Sequence, residues 1–257
     1  MASWTATSIL ITGASSGIGA ALAVACAAPG RTLHLGGRDA DRLNTVATVC
    51  RNAGAEAATA TVDVTDARTM RDWIETSDAR APLDLVIANA GISGGTARTG
   101  SEPPDQVAAI FAVNVDGVVN TVTPALNRMR SRQEGGQIAI MSSLAGFRGF
   151  GGAPAYCASK AAIRVYGEGL RNAYATAGIR VSVVCPGFVR SPMTDANAFP
   201  MPFLMDAERA AGIILRGLAA DRARIAFPWP MYAAAQLMQA LPAALADRIG
   251  RALPAKE

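Results

Sequence analysis

The chain has 257 residues, of which 51% are hydrophobic and 17% charged, a composition that can bury one large core and still leave apolar surface for an oligomer. Its net charge of +4 is spread along the chain. The densest basic cluster, Arg128, Arg130 and Arg132, lacks interleaved aromatic residues, which favours a solvated helix end and argues against nucleic-acid binding. One histidine and four cysteines without a CxxC pair argue against a metal site and favour a cytoplasmic protein with reduced thiols. No basic region precedes the short apolar run at 9–11, so we expect no signal peptide.

Short, β-branched apolar runs alternate with segments of helical spacing along the chain. The predicted strands are 8–12, 32–36, 57–62, 83–88, 136–142, 180–185 and 224–228, and the predicted helices are 17–28, 39–53, 66–79, 104–131, 155–177 and 206–220. Runs that are apolar on both faces are typical of parallel strands covered by helices on each side. The pattern therefore predicts an α/β fold, a single-domain, doubly wound parallel sheet of about seven strands with helices on both faces.

The first strand is followed at once by TGASSGIGAALA, residues 12–23. Gly13 allows a tight turn, Gly17 lets a pyrophosphate approach the backbone, and Gly19 permits close contact between helix and strand. The helix that begins near Gly17 directs its free N–H groups and its positive dipole end at an anion. The segment predicts a dinucleotide site rather than a merely tight turn. Its other candidate cofactor contacts are Ser15, Ser16 and Ile18.

The end of the second strand, HLGGRD, predicts which cofactor is used. A protein that prefers NAD usually has a carboxylate here for the ribose hydroxyls, whereas an arginine accommodates a 2′-phosphate. Gly37 stands where the carboxylate is expected and Arg38 follows, while Asp39 can cap the next helix. We therefore expect NADP(H) to be preferred over NAD(H); the alternative for Arg38 is an exposed loop arginine.

The ends of the third and fourth strands supply further candidate cofactor contacts. Asp63 and Val64 close the third strand, and Asp63 would meet the adenine or cap the next helix, although Asp66 is better placed for the cap. The segment NAG consists of Asn89, Ala90 and Gly91 and ends the fourth strand. Small residues there let the strand end lie close to a ribose, but an ordinary turn explains them equally well.

Three polar side chains in the segment 143–162 suggest acid–base chemistry. Tyr156 and Lys160 are four residues apart, which on a helix places their Cβ atoms ~5–6 Å from each other. An ammonium beside a phenol lowers the tyrosine pKa and makes Tyr156 a usable acid or base. Ser143 ends the fifth strand, where it can hold a carbonyl oxygen while Tyr156 protonates it. Taken singly, each has a structural explanation as a strand-end hydroxyl, a helix-face aromatic or a solvated lysine.

Taken together, TGASSGIG, NAG, a serine thirteen residues before the tyrosine, YCASK and CPGFV resemble the short-chain dehydrogenases/reductases of the short, single-domain type. The resemblance covers roughly residues 7–227. It implies a Rossmann fold, a nicotinamide cofactor, and a homodimer or homotetramer formed through the two long helices around Asn114 and Tyr156. It also implies that Ser143 orients the substrate oxygen, that Tyr156 is the acid/base, and that Lys160 tunes Tyr156 and holds the nicotinamide ribose.

The resemblance assigns five further residues. It implies that Asn114, in FAVNVDG, holds a water for proton relay to the catalytic lysine; the apolar neighbours make a helix-surface asparagine the weaker alternative. It implies that Pro186 and Gly187 contact the nicotinamide and that Val189 offers backbone groups to its carboxamide. Ser191 stands where the family usually has a threonine, so the hydroxyl is kept.

The substrate side of the predicted site is apolar. Its candidates come from the loop after Ser143 and from the segment 190–205, and they are Phe147, Phe150, Met193, Phe199 and Phe203. We expect the partner to be an apolar or amphiphilic carbonyl compound or alcohol. A ketoacyl compound, a steroid and a xenobiotic ketone remain open, and methionines in the loop would fit many shapes.

The chain divides into a dinucleotide-binding domain with a built-in active site, 1–228, and an apolar C-terminal helical tail, 229–257, packed on it. The segment 225–246 carries no charge, but its prolines leave no run long enough for a membrane span. It favours an oligomer contact or a lid over the lesser alternative of membrane-surface attachment. Two other functions stay open: an NADP(H) sensor without turnover, and a sugar-nucleotide epimerase, against which the short C-terminus argues.

Overall fold

The sheet of this protein has seven parallel strands, as expected. The computed structural model describes residues 6–96, 100–195, 197 and 199–250. The strands are β1 (Ser8–Thr12), β2 (Thr32–Gly37), β3 (Glu56–Thr61), β4 (Leu85–Ala88), β5 (Gly136–Met141), β6 (Ile179–Pro186) and β7 (Arg224–Phe227). Their order is β3-β2-β1-β4-β5-β6-β7, and every neighbouring pair is parallel. The order reverses between β1 and β4, which opens a crevice at the carboxyl ends of these strands.

Helices cover both faces of the sheet. They are α1 (Gly17–Cys26), α2 (Ala40–Asn52), α3 (Ala67–Arg80), α4 (Pro104–Phe111), α5 (Gly117–Arg132), α6 (Pro154–Ala173), α7 (Pro192–Asp195), α8 (Ala207–Ala219), α9 (Trp229–Ala240) and α10 (Ala243–Gly250). In β1, Ile9 and Ile11 face a core cluster with α1, α2 and α8, whereas Leu10 faces a second cluster with α3, α5 and α6. All three side chains are fully buried, because each face of the strand meets a helical layer.

Two aspartates begin helices in the crevice region. Asp39 caps α2 by accepting a hydrogen bond from Arg42 N at 3.0 Å, and its other oxygen binds Arg42 Nε at 2.6 Å. Asp66 caps α3 by accepting from Arg68 N at 3.0 Å and Thr69 N at 3.1 Å. Both caps agree with the sequence, and they leave Asp39 turned towards its own helix.

The helix predicted for 104–131 consists of three segments. Between α4 and α5, residues Ala112–Asp116 form a π-helical turn, whose centre is the fully buried Asn114. Such turns are common at functional sites. The segment Pro104–Arg132 is long and apolar enough to cross a membrane. However, Val118 and Val122 pack in the core beside the sheet, as residues of a core helix do.

The basic cluster at the end of α5 is not a solvated helix end, and the prediction is wrong for two of its arginines. Arg128 Nε donates to Asp78 Oδ2 at 2.8 Å, and Arg132 forms an ion pair with Asp78 Oδ1 and donates to Leu83 O at 2.9 Å. Asp78 is only 3% exposed, so these contacts fasten α5 to α3. Arg130 is exposed.

The C-terminal tail forms α9 and α10, and residues 251–257 of the predicted tail lie outside the described part. Tyr232 and Met231 pack against Leu144 and Phe147, which belong to a 3₁₀ turn, Leu144–Phe147, directly after Ser143. The opposite side of the tail is solvent-exposed and apolar, with Trp229, Leu237, Leu245 and Ile249 on the surface. The division into domain and tail stays a prediction.

Candidate active site

The turn between β1 and α1 has the backbone shape that a bound anion requires. Gly13 and Gly17 have φ values of +64° and +53°, in the left-handed region that favours glycine. A Cβ on Gly19 would lie 2.2 Å from Gly13 O, so no larger residue fits between helix and turn. Ser16, at the N-terminal end of α1, makes no side-chain cap, which leaves the first N–H groups of the helix to a ligand. Ser15 and Ile18 are partly buried in the same turn.

The segment NAG lies against this turn and is tied to it. Asn89 Nδ2 donates to Thr12 O at 3.0 Å and to Gly13 O at 3.2 Å. Thr12 Oγ1 accepts from Asn89 N at 3.0 Å and from Ala90 N at 3.1 Å. Asn89 therefore shapes the glycine turn, which the sequence did not assign to it. Thr12 was missed; its signal is a hydroxyl on the last residue of a buried strand.

Arg38 and Asp63 lie at the same edge of the crevice. Arg38 is exposed just after β2. Asp63 Oδ1 accepts from Thr65 N at 2.9 Å and Thr65 Oγ1 at 2.8 Å. These two bonds, with a smaller effect of the Arg38 charge, lower the pKa of the Asp63 carboxyl. Val64, by contrast, is buried against Gly117 of α5, which makes it a packing residue.

Ser143, Tyr156 and Lys160 come together where β5 meets α6. Ser143 ends the strand and is 9% exposed, and its hydroxyl hydrogen bonds with the phenol of Tyr156. Lys160 is buried; its Nζ donates to Met141 O at 2.9 Å and lies 5.8 Å from the centroid of the Tyr156 ring. The structure thus assembles the three predicted side chains into one cluster.

Burial sets the ionisation of this cluster. It raises the pKa of Tyr156 above its ordinary value, and the hydrogen bond with Ser143 opposes this only partly. Burial also lowers the pKa of Lys160 from 10.5 to about 8. The prediction that the pKa of Tyr156 is lowered is therefore wrong for this structure, because burial of the phenol outweighs its hydrogen bond with Ser143.

Asn114 uses its side chain to hold neighbouring segments. Its Oδ1 accepts from Ile92 N at 2.9 Å, and its Nδ2 donates to Ile92 O at 2.9 Å and to Ser159 Oγ at 3.0 Å. Both amide hydrogens are therefore taken. The water that the resemblance assigns to this residue would have to bind its backbone carbonyl or the second lone pair of Oδ1.

Two serines that the sequence did not assign support the catalytic helix. Ser142 Oγ donates to Lys160 O at 2.7 Å, which ties β5 to α6. Ser159 Oγ donates to Tyr156 O at 2.8 Å while accepting from Asn114. Their signal is only their place beside Ser143 and Lys160, since serine is common at strand ends and on helices.

The segment after β6 closes the other side of the crevice. Gly187 N donates to Phe227 O at 2.7 Å, and Ser143 Oγ lies 3.5 Å from Pro186 O. A Cβ on Gly17 would lie 2.9 Å from Ser191 Cβ, so the glycine turn and this segment are in contact.

Thr194 shapes that segment and was missed by the sequence analysis. Its Oγ1 donates to Val189 O at 2.9 Å and accepts from Ser191 N at 2.9 Å. Val189 is 4% exposed and pairs with Met205. The backbone carbonyl of Val189, which the resemblance assigns to the nicotinamide carboxamide, therefore already accepts a hydrogen bond from Thr194.

The five predicted substrate-pocket residues do not form one wall. Phe147 points inwards, is 6% exposed, and packs edge-on against Tyr232 at 5.6 Å. Together with Phe150 it lines a groove of about 500 Å³ beside Cys157 and Arg164, and neither Ser143 nor Tyr156 lines that groove. The 3₁₀ turn directs the Phe147 ring under α9, and its place on the substrate wall stays a prediction.

The loop residues are arranged differently. Phe199 packs edge-on against Phe188 at 5.9 Å, whereas Met193 and Phe203 are 37% and 58% exposed. Ala196 and Ala198 of the predicted loop lie outside the described residues. Among the residues that are described, no three histidine, cysteine, aspartate or glutamate side chains could share a metal ion.

Comparison with known proteins places this site in a family. The model of the short chain dehydrogenase family matches residues 7–199. An uncharacterized oxidoreductase of Myxococcus xanthus (strain DK1622) is 38% identical over 245 residues, which are 95% of this chain and 96% of the relative. The 1-deoxy-11-beta-hydroxypentalenate dehydrogenase of Streptomyces exfoliatus is 31% identical over 219 residues, 83% of this chain and 80% of the relative.

Solved structures agree with the sequence relatives. A short chain dehydrogenase/reductase from Burkholderia phymatum in complex with NAD superposes with a TM-score of 0.83 at 26% identity, covering 93% of this chain and 94% of the other. A short chain dehydrogenase from Mycobacterium paratuberculosis bound to NAD gives a TM-score of 0.76 at 25% identity, covering 85% and 94%.

Proposed function

Because the chain belongs to the short-chain dehydrogenase/reductase family of oxidoreductases, we propose that it transfers hydride between NADP(H) and the carbonyl or secondary alcohol of an apolar or amphiphilic small molecule. The hydrogen bond between Ser143 and Tyr156, beside the buried Lys160, is the observation that carries this proposal. A carbonyl oxygen placed against the two hydroxyls would receive two hydrogen bonds, which stabilise the charge that develops on it.

In the proposed mechanism, Ser143 orients the carbonyl oxygen and Tyr156 gives it a proton. A nicotinamide held at Lys160 and the segment 186–191 would supply the hydride that the carbonyl carbon takes up. The C=O π bond becomes the C–O single bond of the alcohol, and the phenolate regains its proton through Lys160. The raised pKa of Tyr156 keeps the phenol protonated near neutral pH, which suits proton donation in the direction of reduction.

The crevice offers a place for each part of the cofactor. The left-handed turn at Gly13 and Gly17, with the uncapped start of α1, fits a pyrophosphate. The adenosine half would lie along Arg38, Asp63 and the segment 89–91. Lys160 and the segment 186–191 would hold the nicotinamide half.

The preference for NADP(H) is supported by the surroundings of Arg38. The Asp39 carboxylate is hydrogen-bonded to Arg42 at the start of α2, and Gly37 has no side chain. Neither residue therefore places a negative charge where a 2′-phosphate would meet Arg38. The two solved relatives named above bind NAD, which makes cofactor choice a property to be measured on this chain. The ratio of kcat/KM for NADPH and NADH measures it, and a wild type that prefers NADH contradicts the proposal.

The substrate class rests on the apolar loop 190–205. Met193 and Phe203 expose apolar side chains beside the crevice, and methionine adapts to varied shapes. One relative is named as a dehydrogenase of a hydroxylated compound, in keeping with alcohol–carbonyl chemistry. A screen of NADPH oxidation over ketones, aldehydes and 3-oxoacyl thioesters tests the class.

Tyr156→Phe tests the chemistry itself. Removing the phenol proton while keeping the ring should lower turnover by roughly 10²–10⁴-fold and leave the Kd for NADPH unchanged. Tyr166→Phe, on the same helix but packed in the core, is the matched control and should keep wild-type turnover. Full turnover by Tyr156→Phe contradicts the mechanism, whereas tight NADPH binding without turnover of any compound by the wild type favours the sensor.

We also propose that the protein is a cytoplasmic homodimer or homotetramer. Cys26, Cys50, Cys157 and Cys185 are all buried, and no disulfide joins them in the part of the chain that the structure describes, which suits a reducing compartment. The long helices α5 and α6 leave Val119 and Val165 exposed, as expected for a face that another subunit covers.

A further inference from the structure

The segment that follows Ser143 is held by a buried aromatic ring between two cations. Ser143 begins the 3₁₀ turn Leu144–Phe147, and its Oγ accepts from Ala145 N at 3.1 Å. The turn ends at Phe147. The guanidinium carbons of Arg164 and Arg224 lie 4.8 Å and 5.3 Å from the centroid of its ring. Cation–π contacts with a buried ring are stronger than exposed ones, because water does not screen them.

One carboxylate holds both cations in place. Arg164 Nη1 lies 3.1 Å from Glu168 Oε1 and 3.3 Å from Oε2, and Arg224 forms a short ion pair with Oε1. Burial alone would raise the pKa of the Glu168 carboxyl, but hydrogen bonds from Arg224 and Arg164 lower it below its usual value. Glu168 is therefore ionised at neutral pH, and its single negative charge is shared between the two guanidiniums.

The cluster reaches the active-site turn and the C-terminal helix at the same time. Arg164 Nε donates to Gly146 O at 3.3 Å, inside the turn that begins at Ser143. On the other side, Arg224 Nη1 donates to the hydroxyl of Tyr232 on α9 at 3.2 Å, and the Tyr232 ring meets Phe147 edge-on. Residues of α6, β7, α9 and the 3₁₀ turn thus share one network.

We propose that Glu168 is a positioning residue, which acts through Arg164, Arg224 and Phe147 to hold Ser143 against Tyr156, and that α9 takes part through Tyr232. The proposal rests on the proposed function, since it assigns these residues to the same reaction. The cluster reaches the turn where Arg164 Nε donates to Gly146 O, three residues after Ser143, so its effect on Ser143 passes through the backbone of residues 144–147.

Glu168→Gln removes the charge and keeps the shape. We expect kcat to fall about tenfold while the Kd for NADPH stays within about twofold, because the glycine turn lies on another part of the sheet. The hydrogen bond with Ser143 lowers the pKa of Tyr156. Loosening this bond should therefore shift the rising limb of the pH profile, kcat for alcohol oxidation plotted against pH, to higher pH. A role in stability alone would lower the melting temperature without moving that limb.

Tyr232→Phe is the milder second variant, since it keeps the ring against Phe147 and loses the hydroxyl that accepts from Arg224 and from Gln236 within α9. It should show the same shift in the same direction, but smaller. Glu56→Gln is the matched control, because the Glu56–Arg80 pair is exposed and joins β3 to α3, and it should behave as wild type. An unshifted limb with wild-type kcat in Glu168→Gln overturns the proposal.

Hydrogen exchange separates this proposal from the proposed function. In Glu168→Gln with NADPH present, the amides of residues 144–150 should exchange faster than in wild type, while those of residues 13–19 stay unchanged. Unchanged exchange at 144–150 overturns the positioning role even if no substrate is found. Absence of turnover in the wild type, with faster exchange in the variant, overturns the proposed function alone.

Discussion

Burial acts in opposite directions on the two ionisable side chains of the site. It favours the neutral form of each, so the pKa of Tyr156 rises and that of Lys160 falls to about 8. Free tyrosine and lysine have nearly equal pKa values, so these opposite shifts move the two proton affinities apart. Transfer of a proton from the Lys160 ammonium to a Tyr156 phenolate is then favourable, which suits reprotonation of the tyrosine after it has protonated a carbonyl oxygen.

Arg38→Ala should separate the two cofactors. The variant lacks the charge-assisted hydrogen bonds that the guanidinium would donate to the 2′-phosphate. Its kcat/KM for NADPH should therefore fall about 10–100-fold, while its kcat/KM for NADH should change little. Arg216→Ala, an exposed arginine on α8, is the control. An equal loss with both cofactors would mean that Arg38 does not read the 2′-phosphate.

His34→Leu should reduce the acid sensitivity of folding. His34 is 2% exposed in β2, its Nε2 has no partner among the described residues, and burial lowers its pKa from 6.5 to about 4. His34 takes up a proton near pH 6.5 in the unfolded chain but only near pH 4 in the folded chain. Its contribution to the free energy of unfolding is therefore complete above pH 6.5 and is lost as the pH falls from 6.5 towards 4.

Urea unfolding at pH 7.5 and pH 5 measures this effect. From pH 7.5 to pH 5, the free energy of unfolding should fall by about 2 kcal/mol more in wild type than in His34→Leu. This difference is what one histidine contributes when it is protonated in the unfolded chain but not in the folded one. Acidic groups elsewhere affect both proteins alike. The same pH dependence in both would show that His34 titrates normally in the folded state.

At the scale of elements, the π-helical turn between α4 and α5 joins three parts of the site. Asn114 links the segment after NAG to Ser159 on the catalytic helix, so a single side chain sets the distance between them. A regular helix would rotate this amide away, because each residue turns the face by a fixed angle. The π-helical turn interrupts the regular α-helical hydrogen bonding and thereby places Asn114 where it can hold Ile92 and Ser159.

Asn114→Ala should destabilise the protein and the site together. It leaves Ile92 N, Ile92 O and Ser159 Oγ without their buried partner, a loss of about 2–4 kcal/mol. We expect the melting temperature to fall by roughly 5–10 °C. Asn44→Ala, exposed on α2, should change it by less than about 2 °C. A melting temperature like that of wild type would contradict the anchoring role.

The sequence predicted the elements better than the directions of side chains. Strands are recognised because both faces are apolar, and α2 and α3 because Asp39 and Asp66 cap them. The burial of the Phe147 ring under α9 was not predicted, because composition does not say which side of a 3₁₀ turn faces the core. The pKa of Tyr156 was misjudged because burial depends on segments far apart in the chain.

At the scale of the whole molecule, two separate surfaces each carry several exposed apolar side chains. One surface is formed by α4, α5 and α6 with Phe111, Val119 and Val165, and the other by the tail with Trp229 and Leu237. Apolar patches of this kind commonly mark contacts with other molecules. The first surface carries the catalytic helix, so a subunit contact there would also stabilise the site.

Val165→Glu should disrupt the proposed oligomer. Val165 is 58% exposed on α6, and a carboxylate there would be desolvated in a contact between subunits. Sedimentation should give a multiple of 26.4 kDa for wild type and a mass near 26.4 kDa for the variant. Val49→Glu, at a 45% exposed valine on α2, should keep the wild-type mass. An oligomer of unchanged mass in Val165→Glu would place the contact elsewhere.

Met193 and Phe203 differ from the rest of the site in one respect, since both are exposed and neither belongs to a core cluster. Ser143, in contrast, directly follows the buried strand β5, and Lys160 lies inside α6, and both side chains are buried. We therefore expect mutations at Met193 and Phe203 to cost little fold stability. Where these two side chains contact a substrate, natural selection could change the accepted compound in few steps and leave the proton chemistry unchanged.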